Sequence, residues 1–127
     1  MVGDDLSHLV DHLRTRVGSD LRGVATYRPG STKFVYLRDD LQTAYTEQRG
    51  RLGSLMSLLS ETGGELVERS TDDSPLGRYR GGLHLTENAY ALHFHTADDR
   101  GIVITLDRSV GDGVANVLSE CETLLYD

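Results

Sequence analysis

Ala89-Tyr90-Ala91-Leu92-His93-Phe94-His95-Thr96-Ala97, then Asp98-Asp99-Arg100-Gly101, then Ile102-Val103-Ile104-Thr105-Leu106-Asp107 is the stretch on which the fold turns. Two alternating runs flank an Asp- and Gly-containing turn, the pattern of an antiparallel hairpin. Tyr90, Leu92 and Phe94 share one face of the first run, Tyr90 to Thr96. In the second run Ile102, Ile104 and Leu106 alternate with Val103 and Thr105. Because strand side chains alternate, Phe94, Ile102 and Ile104 point one way, while Val103 and the small Ala89 and Ala91 point the other. Both faces therefore have something to bury, which predicts a sheet covered on two sides by helices.

Working outward, Arg78 to Thr86 alternates as a further strand, and a turn over 86–89 would set residue 84 opposite 91 and 82 opposite 93. Leu21 to Tyr27 and Lys33 to Leu37 form another hairpin about Arg28-Pro29-Gly30-Ser31. Three amphipathic helices complete the chain. The first spans roughly 4–17, with Asp4 and Asp5 at its start, Leu6, Leu9, Val10, Leu13 and Val17 as its stripe, and Gly18 as its stop. A second begins at Asp39-Asp40, carries Leu41, Tyr45, Leu52, Leu55, Met56 and Leu59, is weakened by Gly50 and Gly53, and ends at Gly63-Gly64. Glu65-Leu66-Val67-Glu68 reads as a short strand or a loop edge, and Ser70 to Pro75 as loop. Capped by Asp107 or Ser109, the last helix buries Val110, Val114, Val117, Leu118, Cys121, Leu124 and Leu125. The expected architecture is α+β, in the order α-β-β-α-β-β-β-α: a five-stranded, mainly antiparallel sheet with helices one and three on one face and helix two on the other.

The chain has 127 residues and a mass of 14.0 kDa, which predicts a single domain over 1–127. Its 13 basic residues are 12 Arg and one Lys, Lys33, against 20 acids, for a net charge of −7. Scarce lysine and isoleucine are also the mark of a GC-rich genome, but scarce lysine with abundant aspartate is the pattern of a protein working in molar salt, where self-repulsion is screened within a few ångströms. No apolar run is long enough to span a bilayer, and no leader pattern opens the chain, so a cytoplasmic protein is expected. The single Cys121 forms no internal disulfide and falls on an apolar stripe, as a buried, inert thiol does.

This element order resembles the roadblock family, the small dynein-light-chain-like (roadblock/profilin-like) domains also found among prokaryotic regulators of small GTPases. The resemblance covers nearly the whole chain and implies a noncatalytic dimer that docks on other proteins. A second resemblance lies in Gly82-Leu83-His84 through Leu92-His93-Phe94, Asp99-Arg100-Gly101, Thr105-Leu106-Asp107 and the cysteine-bearing last helix. These residues look like those of small uncharacterised haloarchaeal proteins, which agrees with the salt reading and brings no activity with it.

No catalytic motif is visible, so no enzyme and no cofactor are expected. His93 and His95 share a strand face, with His84 diagonal to His93, yet no acid completes a ligand set and Arg80 would oppose a cation there. Imidazoles packed under helix two or at a subunit contact are expected instead of a metal site. His8 and His12 are one helical turn apart but lack the glutamate of a zinc-protease helix, which predicts a solvated face. Gly111-Asp112-Gly113 echoes a dinucleotide fingerprint, but Asn116 stands at the third glycine position and too little chain follows for a second strand.

Helix two has more apolar surface than one sheet covers, because Leu58 lies about 100° from the centre of the main cluster. A homodimer interface is therefore expected at Leu52, Leu55, Met56, Leu58 and Leu59, with the neighbouring strand. Gly50 and Gly53 lie on the opposite face, where a second helix could approach closely or where the helix is simply weak. Arg49, Arg51, Arg78 and Arg80 are candidate partner contacts; in the alternative reading, a small nucleic-acid-associated regulator, they meet nucleic acid.

Overall fold

The computed structural model describes residues 6–97 and 99–126. Five strands, β1 Leu21–Arg28, β2 Ser31–Leu37, β3 Gly81–Leu85, β4 Ala89–Ala97 and β5 Arg100–Asp107, form one sheet in the spatial order β2-β1-β5-β4-β3. All neighbouring pairs are antiparallel. The quoted hairpin is β4–β5, and β5, the most apolar strand, takes the centre. Gly82 pairs with His93 and His84 with Ala91, the expected register.

Helices α1 Ser7–Val17 and α4 Val114–Tyr126 cover one face. There Leu9 and Leu13, then Val117, Cys121 and Leu125, pack with Val24, Leu92, Phe94, Ile102, Ile104 and Leu106 in the main core. Cys121 lies inside this core, and burial pushes its thiol up to about 12, which leaves it protonated and unreactive. Helices α2 Gln42–Glu47 and α3 Arg49–Arg69 cover the other face. The core there is small: Met56 against Ala25, Tyr27 and Val103.

Several local expectations are corrected. The second helix is two helices, broken at Gln48, whose φ of −109° and ψ of 24° leave the helical region just before Gly50. Beyond the break α3 runs straight through Gly63-Gly64 to Arg69, so Glu65-Leu66-Val67-Glu68 is helical. Gly63 is no stop: a Cβ on it would lie 2.6 Å from His95 Nδ1. Glycine there lets the helix settle onto β4.

Strand β3 is shorter than the 78–86 run because Arg78 and Arg80 are drawn to Asp72 and Glu122. Neither Asp107 nor Ser109 caps the last helix. Asp107 is committed to Arg22 and Arg38, Ser109 bonds Asp20 at 2.7 Å, and a 3₁₀ segment over Arg108–Gly113 leads into α4 instead. Gly18 does end α1, with φ +58°, a conformation glycine adopts freely. Asp4 and Asp5 fall outside the described residues, as does Asp98 of the β4–β5 turn. His12 is not merely solvated: it bonds Glu120 at 2.7 Å and so ties α1 to α4, while His8 is exposed.

Candidate functional site

Period two in β4 sends His93 and His95 to the α3 side of the sheet, and α3 closes over them. His93 is 1% exposed and His95 5%. His93 Nε2 and the Tyr27 hydroxyl share a 2.5 Å hydrogen bond. Burial is the first cause that lowers the His93 pKa to about 4, with the neighbouring His84 and His95 adding to it, and burial likewise raises that of Tyr27. The imidazole is therefore neutral at pH 7. Its ring centroid lies 6.3 Å from His84 and 6.4 Å from His95. Gly101 makes room for the Tyr27 ring, which a side chain at that position would strike.

Among the described residues, no group of three or more His, Cys, Asp or Glu stands ready to hold a metal ion. The expectation that Arg80 shares the imidazole face is corrected. Its guanidinium bonds Glu122 at 2.7 Å and lies 5.0 Å from the centre of the Tyr126 ring, so α4 takes it away. The register opposite His95 holds, since the His95 N–H donates to the Arg80 carbonyl at 2.8 Å; only the side chain turns toward α4.

The outward side of α3 is the more exposed apolar surface. Of the five residues expected at an interface, Met56 is buried, Leu59 packs against the small core and Leu52 is half-buried. Leu55 and Leu58 are 51% and 57% exposed, and Leu66, which lies in the stretch read as strand or loop, joins them at 40%. The sheet edge nearest in the strand order to His93 is β3, which pairs only with β4 and leaves Leu83 and Leu85 exposed. Leu66, Leu83 and Leu85 were missed because their exposure depends on where helix and strand end.

The four candidate arginines separate. Arg78 and Arg80 are neutralised by Asp72 and Glu122, whereas Arg49 and Arg51 stand exposed at the start of α3 without an ion pair among the described residues. They do not form one basic strip with Arg78 and Arg80. Asp107 anchors the opposite end of the sheet. Its hydrogen bond from Arg38, joined by one from Arg22, holds its carboxyl below the usual carboxylate range.

A two-layered cover on an antiparallel sheet of order β2-β1-β5-β4-β3 defines a roadblock-like α+β fold. The chain is similar to the Roadblock/LC7 domain from Streptomyces avermitilis, whose crystal structure aligns at 16% identity and a TM-score of 0.52 over 98% of this chain and 100% of that one. The likeness is one of fold. By sequence the chain belongs to the DUF7522 family, a domain of unknown function, whose model matches residues 7–126. No curated protein matches it. Among the described residues no helix is long and apolar enough to cross a membrane.

Proposed function

We propose that this chain is a noncatalytic interaction module that acts as a homodimer and docks on another protein to regulate or scaffold it. The observation that carries the reading is the outer side of α3: Leu55, Leu58 and Leu66 are exposed along a helix that buries only Met56 and Gly63 fully. A two-fold contact is the commonest way to cover such a surplus. Pairing α3 with α3 and β3 with β3 would also close a free sheet edge, which otherwise invites aggregation. Interfaces of standard size bury on the order of 1,600 Å² in total, within reach of a helix pair plus an edge strand. Leu55 and Leu58 would form the contact, while Leu52, Met56 and Leu59 hold the helix from beneath. The roadblock resemblance implies the same mode of action. We read the acidic, lysine-poor composition as adaptation to molar salt in a cytoplasm of that kind.

Light scattering in 3 M KCl at tens of micromolar tests the assembly. Wild type is expected at twice 14.0 kDa and Leu58→Asp at 14.0 kDa. A monomeric wild type overturns the dimer, and a dimeric Leu58→Asp removes it from α3. Melting the same samples by circular dichroism checks the habitat: the midpoint should rise between 0.1 and 3 M KCl, and a flat response refutes salt adaptation.

A further inference from the structure

A groove of about 1020 Å³ runs between the β1–β2 hairpin and the α2–α3 layer. Phe34, Tyr45 and Met56 give it apolar walls, and Arg28, Lys33 and Arg49 stand around it. Lys33 is the only lysine in the chain. Among the described residues none of these three cations has an ion pair, although Arg16, Arg22, Arg38, Arg69, Arg78 and Arg80 all do. Glu61 is the one acid among the described residues of the lining. On a chain of net charge −7, this local excess of positive charge runs against the rest of the molecule. A second hollow of about 520 Å³ shares Arg28 and Lys33 and adds Arg100, with no acid among the described residues that line it.

The groove follows a free edge. Strand β2 pairs with β1 and, among the described residues, has no strand on its other side. Ser31, Thr32 and Lys33 are exposed along it. An edge strand turns alternate N–H and C=O groups outward and accepts a further strand, with pockets beside it reading alternate side chains. At about 3.3 Å per residue, β2 offers an edge of roughly 23 Å, the length of a peptide segment and not of one anion.

We propose that this groove takes an acidic peptide of a partner protein, extended along β2 as a sixth strand, with carboxylates at Arg28 and Lys33 on one face of the new strand and apolar side chains on Phe34 and Tyr45 on the other, where Arg49 stands at the rim. Backbone pairing supplies the register, and the cations choose an acidic sequence over a basic one. In molar salt the attraction is confined to a few ångströms, so contact ion pairs and strand pairing carry the binding. Single-stranded nucleic acid is disfavoured, because beyond this patch its phosphates would meet a surface of the same sign. The inference is independent of the dimer, which would use Leu55, Leu58 and β3 at the far edge.

The test is an NMR titration of the full ¹⁵N-labelled chain at the lowest KCl concentration that keeps it folded. The probes are an acetylated heptapeptide of alternating valine and aspartate, the same peptide with alternate amides N-methylated, and an oligothymidylate. The first is expected to shift the amides of Ser31–Leu37 and to bind at least about ten-fold tighter than the N-methylated form, which keeps the charge and loses the backbone donors. Arg28→Glu with Lys33→Glu should weaken it about ten-fold, since two contact ion pairs are replaced by repulsion. Unshifted β2 amides at about 2 mM peptide, equal binding of the N-methylated form, or preference for the oligothymidylate would each overturn the proposal. Because the peptide comparison uses wild type, it decides the matter even if the double variant fails to fold.

Discussion

The two faces of the sheet are built from the same five strands and hold their helices by different means. Against α1 and α4, the strands present Val24, Leu92, Phe94, Ile102, Ile104 and Leu106, a dry layer completed by leucines, valines and Cys121. Against α3 they present Ala25, Tyr27, Val103 and two buried imidazoles. Burial of apolar area is the main stabilising term, so the first face anchors the fold and the second holds its helix with less. What the second face gains is a surface that is only partly committed: a long helix seated on Met56 and a glycine, with leucines left outside. A helix held this way is suited to gaining further stability from a partner.

The widest test of this difference is a matched pair of truncations. Ile104→Ala in the main core should cost about 4 kcal/mol in urea unfolding, and Met56→Ala in the small core about 2 kcal/mol. Equal losses would mean that the faces are equivalent. Next comes pH. The folded pKa of His93, about 4, lies below the unfolded value of 6.5, so its contribution is complete above pH 6.5 and is lost as pH falls toward 4. By pH 4 the loss should reach roughly 3 kcal/mol, since each pKa unit corresponds to about 1.4 kcal/mol. It should show first as lost amide protection in α3, with α1 and α4 unaffected. An NMR titration midpoint for the His93 ring above pH 6 would refute the sealed imidazole layer. The smallest effect compares two glycines of α3. Gly63→Ala should destabilise by about 1–2 kcal/mol because its methyl meets His95. Gly53→Ala should stabilise by about 0.5–1 kcal/mol, because a Cβ there meets nothing within 4 Å and alanine is the better helix former. Stabilisation by both would show that α3 does not rest closely on β4.

Much of the architecture was legible because it is written in short-range periodicity. The β4–β5 hairpin, the β3–β4 register and the placing of the helices on two faces follow from alternation along strands and one stripe per helix. The candidate surface was legible in part: Leu58 lies off the main stripe in a helical reading, whereas Leu55 falls on that stripe and Leu66 needed the helix to continue past Gly63-Gly64. The groove was not legible at all. Arg28, Lys33 and Arg49 come from a strand end, its partner strand and a helix start, and no spacing along the chain relates them.

By itself, then, the sequence determined the element types, the antiparallel hairpins and the sidedness of the sheet, because backbone geometry converts a repeat of two or of 3.6 directly into a face. Only the tertiary structure decided what individual residues do at the joins. Gly63 is a contact point and not a stop because His95 lies opposite it, Arg80 leaves the imidazole face because Glu122 and Tyr126 draw it to α4, and Asp107 binds two arginines instead of capping a helix. In each case the same residue type serves either purpose locally, and the choice is made by a neighbour distant in the chain, whose steric bulk or charge exists at that position only once the sheet has formed.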